Sequence, residues 1–244
     1  KLAVNLYAQN RSTASIKLRE VRLGDGNLTT VNRGLEKKEP WQLEVQYGVR
    51  ADTAVSNPYW LVLPPEKGLY PIVDAKLTGL PEAPPALSAE FVFALGQEGR
   101  TLSITRPVIY KWTDPVAGER YRAIEVTPPV LVNPEAPLLM FGDEQAKTLR
   151  VRLRAAVDNA QGVLKLELPA GYLAQPAELS FTLAKKGDED ELRFSIKPKP
   201  GTPAATGTMR VIAQLGEPRA PIEQGIRRID HSHIPIQTLF PSSA

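Results

Sequence analysis

The sequence predicts an all-β protein built from two tandem immunoglobulin-like antiparallel β-sandwich modules. Three observations predict it. Apolar side chains recur at every second residue in run after run, as a strand with one buried face requires. Turn residues separate these runs at short intervals. The chain of 244 residues carries 23 prolines, well above the usual share of about 5%, and they cluster between the runs, which argues against long helices.

In the first half, Leu2, Val4, Leu6 and Ala8 alternate from the start, so the N-terminus reads as a strand cut from a longer chain and not as a signal peptide. Ile16 and Leu18 continue on even positions, but Val21 and Leu23 fall on odd ones, and this one-residue change of phase predicts a β-bulge near Arg19-Glu20. Asp25-Gly26 supplies the next turn. Trp41, Leu43, Val45, Tyr47 and Val49 form the cleanest alternation, and Phe91, Phe93 and Leu95 a shorter one. Leu102, Ile104, Val108, Tyr110 and Trp112 read as one longer strand interrupted at Arg106-Pro107; because proline cannot donate to a ladder, that position predicts an edge or a bulge. Between these, Asn57 to Pro85 is rich in proline and glycine and predicts an irregular insertion over about residues 50–88.

The second half is more regular. Leu149, Val151, Leu153 and Ala155 alternate with Arg150, Arg152 and Arg154, placing the arginines in water. Further runs follow at Leu164 to Leu168, Leu179 to Leu183, Leu192 to Ile196 and Met209 to Leu215, separated by turns at Asp158-Asn159, Pro169-Ala170-Gly171, Lys186-Gly187-Asp188, Lys199-Pro200-Gly201 and Thr206-Gly207. The segment Arg106 to Pro134 reads as one strand ending, a turn, and a strand opening the next module. It sets the expected boundaries at 1–122 and 123–244, the latter ending in a weakly alternating linker strand from Gln224.

Apolar residues make up 42% and charged residues 23%, which excludes a disordered chain. No apolar run reaches the roughly 20 residues of a membrane helix. The net charge is +3, yet residues 1–122 hold 16 basic and 13 acidic groups and residues 123–244 hold 14 and 14. Neither half has the basic stripe of a nucleic-acid binder. With no cysteine, thiol catalysis, disulfides and thiolate metal sites are excluded.

His231 and His233 are the only histidines, in Asp230-His231-Ser232-His233; on a strand they would share a face and could hold a metal with a nearby carboxylate, or simply be polar edge residues. No G-x-S-x-G elbow and no phosphate-binding glycine loop occurs. Tyr59, Trp60 and Tyr70 lie in the irregular segment and not on a clear core face, which suggests aromatic platforms for a sugar ring. The alternative, more usual for a large aromatic, is that Trp60 plugs the end of the sandwich or an inter-domain contact.

Four phrases, in order, resemble the C-terminal β-rich region of large bacterial proteins of the LmbE/PIG-L family, zinc-dependent N-acetylglucosaminyl deacetylase-like hydrolases. They are Asn57-Pro58-Tyr59-Trp60-Leu61; Arg106-Pro107-Val108-Ile109-Tyr110; Gly118-Glu119-Arg120-Tyr121-Arg122 with Val126-Thr127-Pro128-Pro129-Val130; and His233 to Pro241. Leu179 to Ile196 with Thr206-Gly207-Thr208-Met209 is similar to the immunoglobulin-like modules that accompany bacterial carbohydrate-active enzymes. The His-Pro-Asp-Asp motif of the family's catalytic domain does not occur in this chain, so no catalytic residue carries over. The resemblance implies a non-catalytic accessory region of a longer extracytoplasmic hydrolase. Its partners would be the catalytic domain of the same polypeptide and a glycan, with zinc expected only in that missing domain and no cofactor in this chain.

Overall fold

The computed structural model describes residues 2–37, 39–50, 52–63, 66–96, 100–216, 220–231 and 236–242. It is all-β, and every paired strand is antiparallel. The chain divides into two compact units, residues 1–54 with 84–126 and residues 55–83 with 127–244.

The first unit opens with β1 (Leu2–Ala8), which pairs with β4 (Trp41–Tyr47) in the register Leu2 to Tyr47. A second sheet runs in the order β3 (Asn27–Gly34), β2 (Ile16–Leu23), β5 (Ser88–Leu95), β6 (Arg100–Pro107). Both sheets feed one core: Val4, Leu6 and Trp41 from the first, with Leu18, Val21, Leu23, Ala89 and Phe91 from the second. The expected bulge is present, because the register of β2 shifts between Leu18 and Glu20 against both neighbours. That extra residue lets Leu18 and Val21 both enter the core despite their odd separation. Pro107 ends β6, the edge strand of its sheet, as its missing N–H dictates.

The interrupted strand does not resume in that sheet. After Pro107 the chain forms β7 (Ile109–Asp114), which turns back into β8 (Gly118–Ala123) as a separate two-stranded ribbon. Every residue of β7 and β8 is exposed except the half-buried Asp114. The alternation at Tyr110 and Trp112 therefore marks a strand but not a core face. Gly118 to Arg122 returns onto the strand before it and belongs to the first unit.

The second unit is a sandwich of a four-stranded and a three-stranded sheet. The four-stranded sheet runs β12 (Tyr172–Gln175), β14 (Glu189–Pro198), β10 (Lys147–Ala155), β9 (Val130–Pro134). The three-stranded sheet runs β13 (Glu178–Leu183), β11 (Ala160–Glu167), β15 (Arg210–Leu215). Leu149, Val151, Leu153, Phe194 and Ile196 from the one, and Leu164, Phe181, Val211 and Ala213 from the other, form one buried core. Burying each such side chain contributes about 1.5–3 kcal/mol. The alternate Arg150, Arg152 and Arg154 face outward, as expected.

One layer pairs β10 with β14 and β9, and the other pairs β11 with β13 and β15. From β10 onward the chain crosses between the sheets at every connection.

The segment 55–83, expected as an insertion in the first module, is grouped with the second unit. Its regular structure among the described residues is two 3-10 turns, at Tyr59–Leu61 and Ala75–Leu77, and a β-bridge between Glu66 and Leu69. The terminal segment adds β16 (Arg227–Ile229) paired with β17 (Gln237–Leu239). It is tied to β9 where the Val132 N–H donates to the Gln224 carbonyl and the Ile226 N–H donates to Asn133 Oδ1. Gly225 is needed here: a Cβ would come within 2.5 Å of Asn133 Oδ1 and 2.7 Å of the Val132 carbonyl. No helix among the described residues is long and apolar enough to cross a membrane.

Candidate functional site

The segment carrying Tyr59, Trp60 and Tyr70 is held by specific bonds. Asn57 Oδ1 accepts the Phe240 N–H at 2.8 Å, pinning the start of the segment to the end of β17, where Phe240 is buried. Pro58 is buried and precedes the 3-10 turn that carries Tyr59 and Trp60. The Tyr59 hydroxyl donates to the Leu80 carbonyl at 3.0 Å, closing the segment on itself. Its ring stands perpendicular to Trp60, with centroids 4.8 Å apart. Both rings are half-buried, whereas Tyr70 is 57% exposed. Tyr59 and Trp60 therefore meet edge to face and not as one flat surface, and Tyr70 is the open ring of the three.

His231 is exposed at the end of β16, and His233 lies outside the described residues. No group of three or more His, Asp or Glu disposed to hold a metal occurs among the described residues.

A cleft of about 610 Å³ in the first unit is open and polar and lies beside the β2–β3 turn. Arg22 there bridges Glu20 and Glu90, and Arg50 grips Asp52 through two bonds of 2.9 and 2.6 Å. That fork holds the Asp52 carboxyl below its ordinary pKa and the Arg50 guanidinium above its own. Tyr47 closes one wall so tightly on Gly24 that a Cβ there would sit 2.8 Å from the phenol oxygen. These ionic groups satisfy one another, so the cleft offers structure more than reactive capacity.

The ribbon presents a different surface. Tyr110 and Trp112 share one face, two residues apart, and their rings lie 24° from parallel with centroids 5.6 Å apart. Directly across the strand pair stand Arg122, opposite Tyr110, and Arg120, opposite Trp112. Arg122 is bound to Glu125 at 2.5 Å. Arg120 makes no hydrogen bond or ion pair with a described residue; its positive charge lies near Asp114, lowering that carboxyl's pKa. The larger lowering comes from the Ala117 and Val116 amides, each donating to Asp114 Oδ1 at 2.8 Å and fixing the turn at the tip. On the opposite face Lys111 pairs with Glu119 at 2.6 Å beside an exposed Tyr121.

Comparison with protein-family models finds no match, and comparison with curated proteins finds none. The sites therefore rest on their own chemistry. Reading the sequence missed the ribbon because Tyr110 and Trp112 continue an apolar alternation, which is also the mark of a core strand. The available signal was Pro107 together with Asp114-Pro115 and Gly118: two breaks bracketing a strand too short to re-enter the sheet.

Proposed function

We propose that this chain is a non-catalytic accessory region that positions the catalytic domain of a longer, extracytoplasmic LmbE/PIG-L-like deacetylase on a glycan. The observation that carries the reading is the bond from the Phe240 amide to Asn57 Oδ1, which joins the first and last of the four phrases that resemble that family. Phrases 183 residues apart in sequence meeting at one corner is what a shared structural framework requires. Two cored β units suit a role in spacing and orienting, and zinc belongs to the catalytic domain in this reading.

The test is hydrolysis of N-acetylglucosamine oligomers by the zinc-supplemented chain, followed by acetate release. No acetate is expected, whereas the same assay on the longer protein releases it. Turnover by the chain itself overturns the reading, as does a longer protein lacking a His-Pro-Asp-Asp motif.

A second reading, sugar binding through Tyr59, Trp60 and Tyr70, is favoured by the open Tyr70 ring. Calorimetric titration with amino-sugar oligomers decides it: heat that a Tyr70→Ala variant loses supports it, and no heat at millimolar glycan ends it.

A further inference from the structure

The β7–β8 ribbon carries Tyr110, Trp112, Tyr121, Ile109 and the tip residue Val116 in exposed positions, with Val116 97% exposed. A two-stranded hairpin is at best marginally stable alone in water. Large apolar side chains on a strand pair with no covering layer have a function in contact. What that contact is follows from the charges.

We propose that the face formed by Tyr110, Trp112 and Arg120 binds a carboxylate-bearing sugar, a hexuronate residue within a glycan. The Tyr110 and Trp112 rings stack on each other, and the outer face of the pair is the apolar surface offered to the C–H face of a pyranose. Arg120, opposite Trp112 and in no side-chain bond with a described residue, presents a planar fork of donors that matches a carboxylate. Its acidic neighbour Asp114 already accepts two backbone amides, and the other guanidinium, Arg122, is matched by Glu125. One guanidinium without a carboxylate bond among the described residues, beside one stacked aromatic pair, fits one carboxylate per recognised ring.

The same pair of groups could stack a nucleobase, but a nucleic-acid strand brings a phosphate at every residue and needs a positive groove along its backbone. This face has Arg122 already paired with Glu125 and only Arg120 left beside the aromatics, which is short of such a groove. The inference does not rest on the Asn57 to Phe240 bond that carries the accessory role and stands whether or not that role is correct.

The experiment is calorimetric titration of the full chain with an octasaccharide alternating glucuronate and N-acetylglucosamine. The same octasaccharide with its carboxyls reduced to alcohols, and a single-stranded uridine oligomer, serve as comparisons. Saturable binding to the uronate form is expected, about tenfold or more weaker for the reduced form, the size of one charge-assisted contact. Arg120→Gln weakens uronate binding by about the same factor, Trp112→Ala abolishes it, and Lys17→Gln, which removes an exposed cation of β2, leaves it unchanged. No binding of the uronate form at millimolar concentration overturns the proposal. So does equal affinity for the reduced form, tighter binding of the uridine oligomer, or wild-type affinity in Arg120→Gln, a surface change that leaves the fold intact.

Discussion

The β10–β14 pair and the β7–β8 ribbon begin from the same sequence pattern and reach opposite ends. In β10, Leu149, Val151 and Leu153 alternate with three arginines, and all three apolar residues are at most 1% exposed. In β7, Tyr110 and Trp112 alternate with Lys111 and Thr113 and stay 58% and 36% exposed. The difference is the second layer. The three-stranded sheet of β13, β11 and β15 supplies the facing side chains for β10, whereas the strand before β7 ends at Pro107 and leaves its sheet. Period-two alternation shows that a segment is a strand with two unlike faces; burial depends on what packs against it.

The widest separation between the two regions is in stability. Leu153→Ala in the β10 core is expected to cost about 2–5 kcal/mol, read as a lower urea midpoint with an unchanged slope. Trp112→Ala on the ribbon removes a same-face aromatic pair and is expected to cost about 0.2–1 kcal/mol. A ribbon variant that lowers the midpoint as far as the core variant would erase the distinction.

The smallest effect is at the ribbon tip and depends on pH. Asp114 has a folded pKa below its unfolded value of about 3.9, because the Ala117 and Val116 amides donate to its ionised form. Its contribution is therefore fully present above the unfolded value and is lost as pH falls through the folded one. In an NMR titration the Asp114 carboxyl is expected to titrate below the ordinary aspartate range, with the Val116 and Ala117 amide shifts moving together with it. In an Asp114→Asn variant those amide shifts lose that pH dependence.

Much of the fold was legible in the residues, and what was not has definite causes. The β2 bulge could be read from the phase change between Leu18 and Val21, since the period of a strand is two and a slip of one is visible. The core strands of the second unit were legible for the same reason. β3 was missed because Asn27–Gly34 has few apolar residues and is largely exposed, so no alternation marks it. The bounds of β9, within the segment expected to open the second module, carry no alternation because Val130, Leu131 and Val132 are all buried in a continuous run. The grouping of 55–83 with the second unit rests on long-range contacts such as Asn57 to Phe240, which no local pattern encodes. Of the candidate sites, Tyr59, Trp60 and Tyr70 could be picked out as aromatics off any core face, but the edge-to-face geometry and the Tyr59 bond to Leu80 belong to tertiary structure. The Tyr110, Trp112 and Arg120 face needed the strand register, because only pairing places Arg120 opposite Trp112.

Native-state hydrogen exchange tests most directly whether the ribbon stands apart from the cores. Amides of β2 and β5 in the same unit, at Val21 and Phe91, are expected to exchange only through opening of the unit's core. Ladder amides of β7 and β8 are expected to exchange by local opening at a free energy several kcal/mol lower. Equal protection in the ribbon and in β2 would make the ribbon part of the cooperative core and contradict the account.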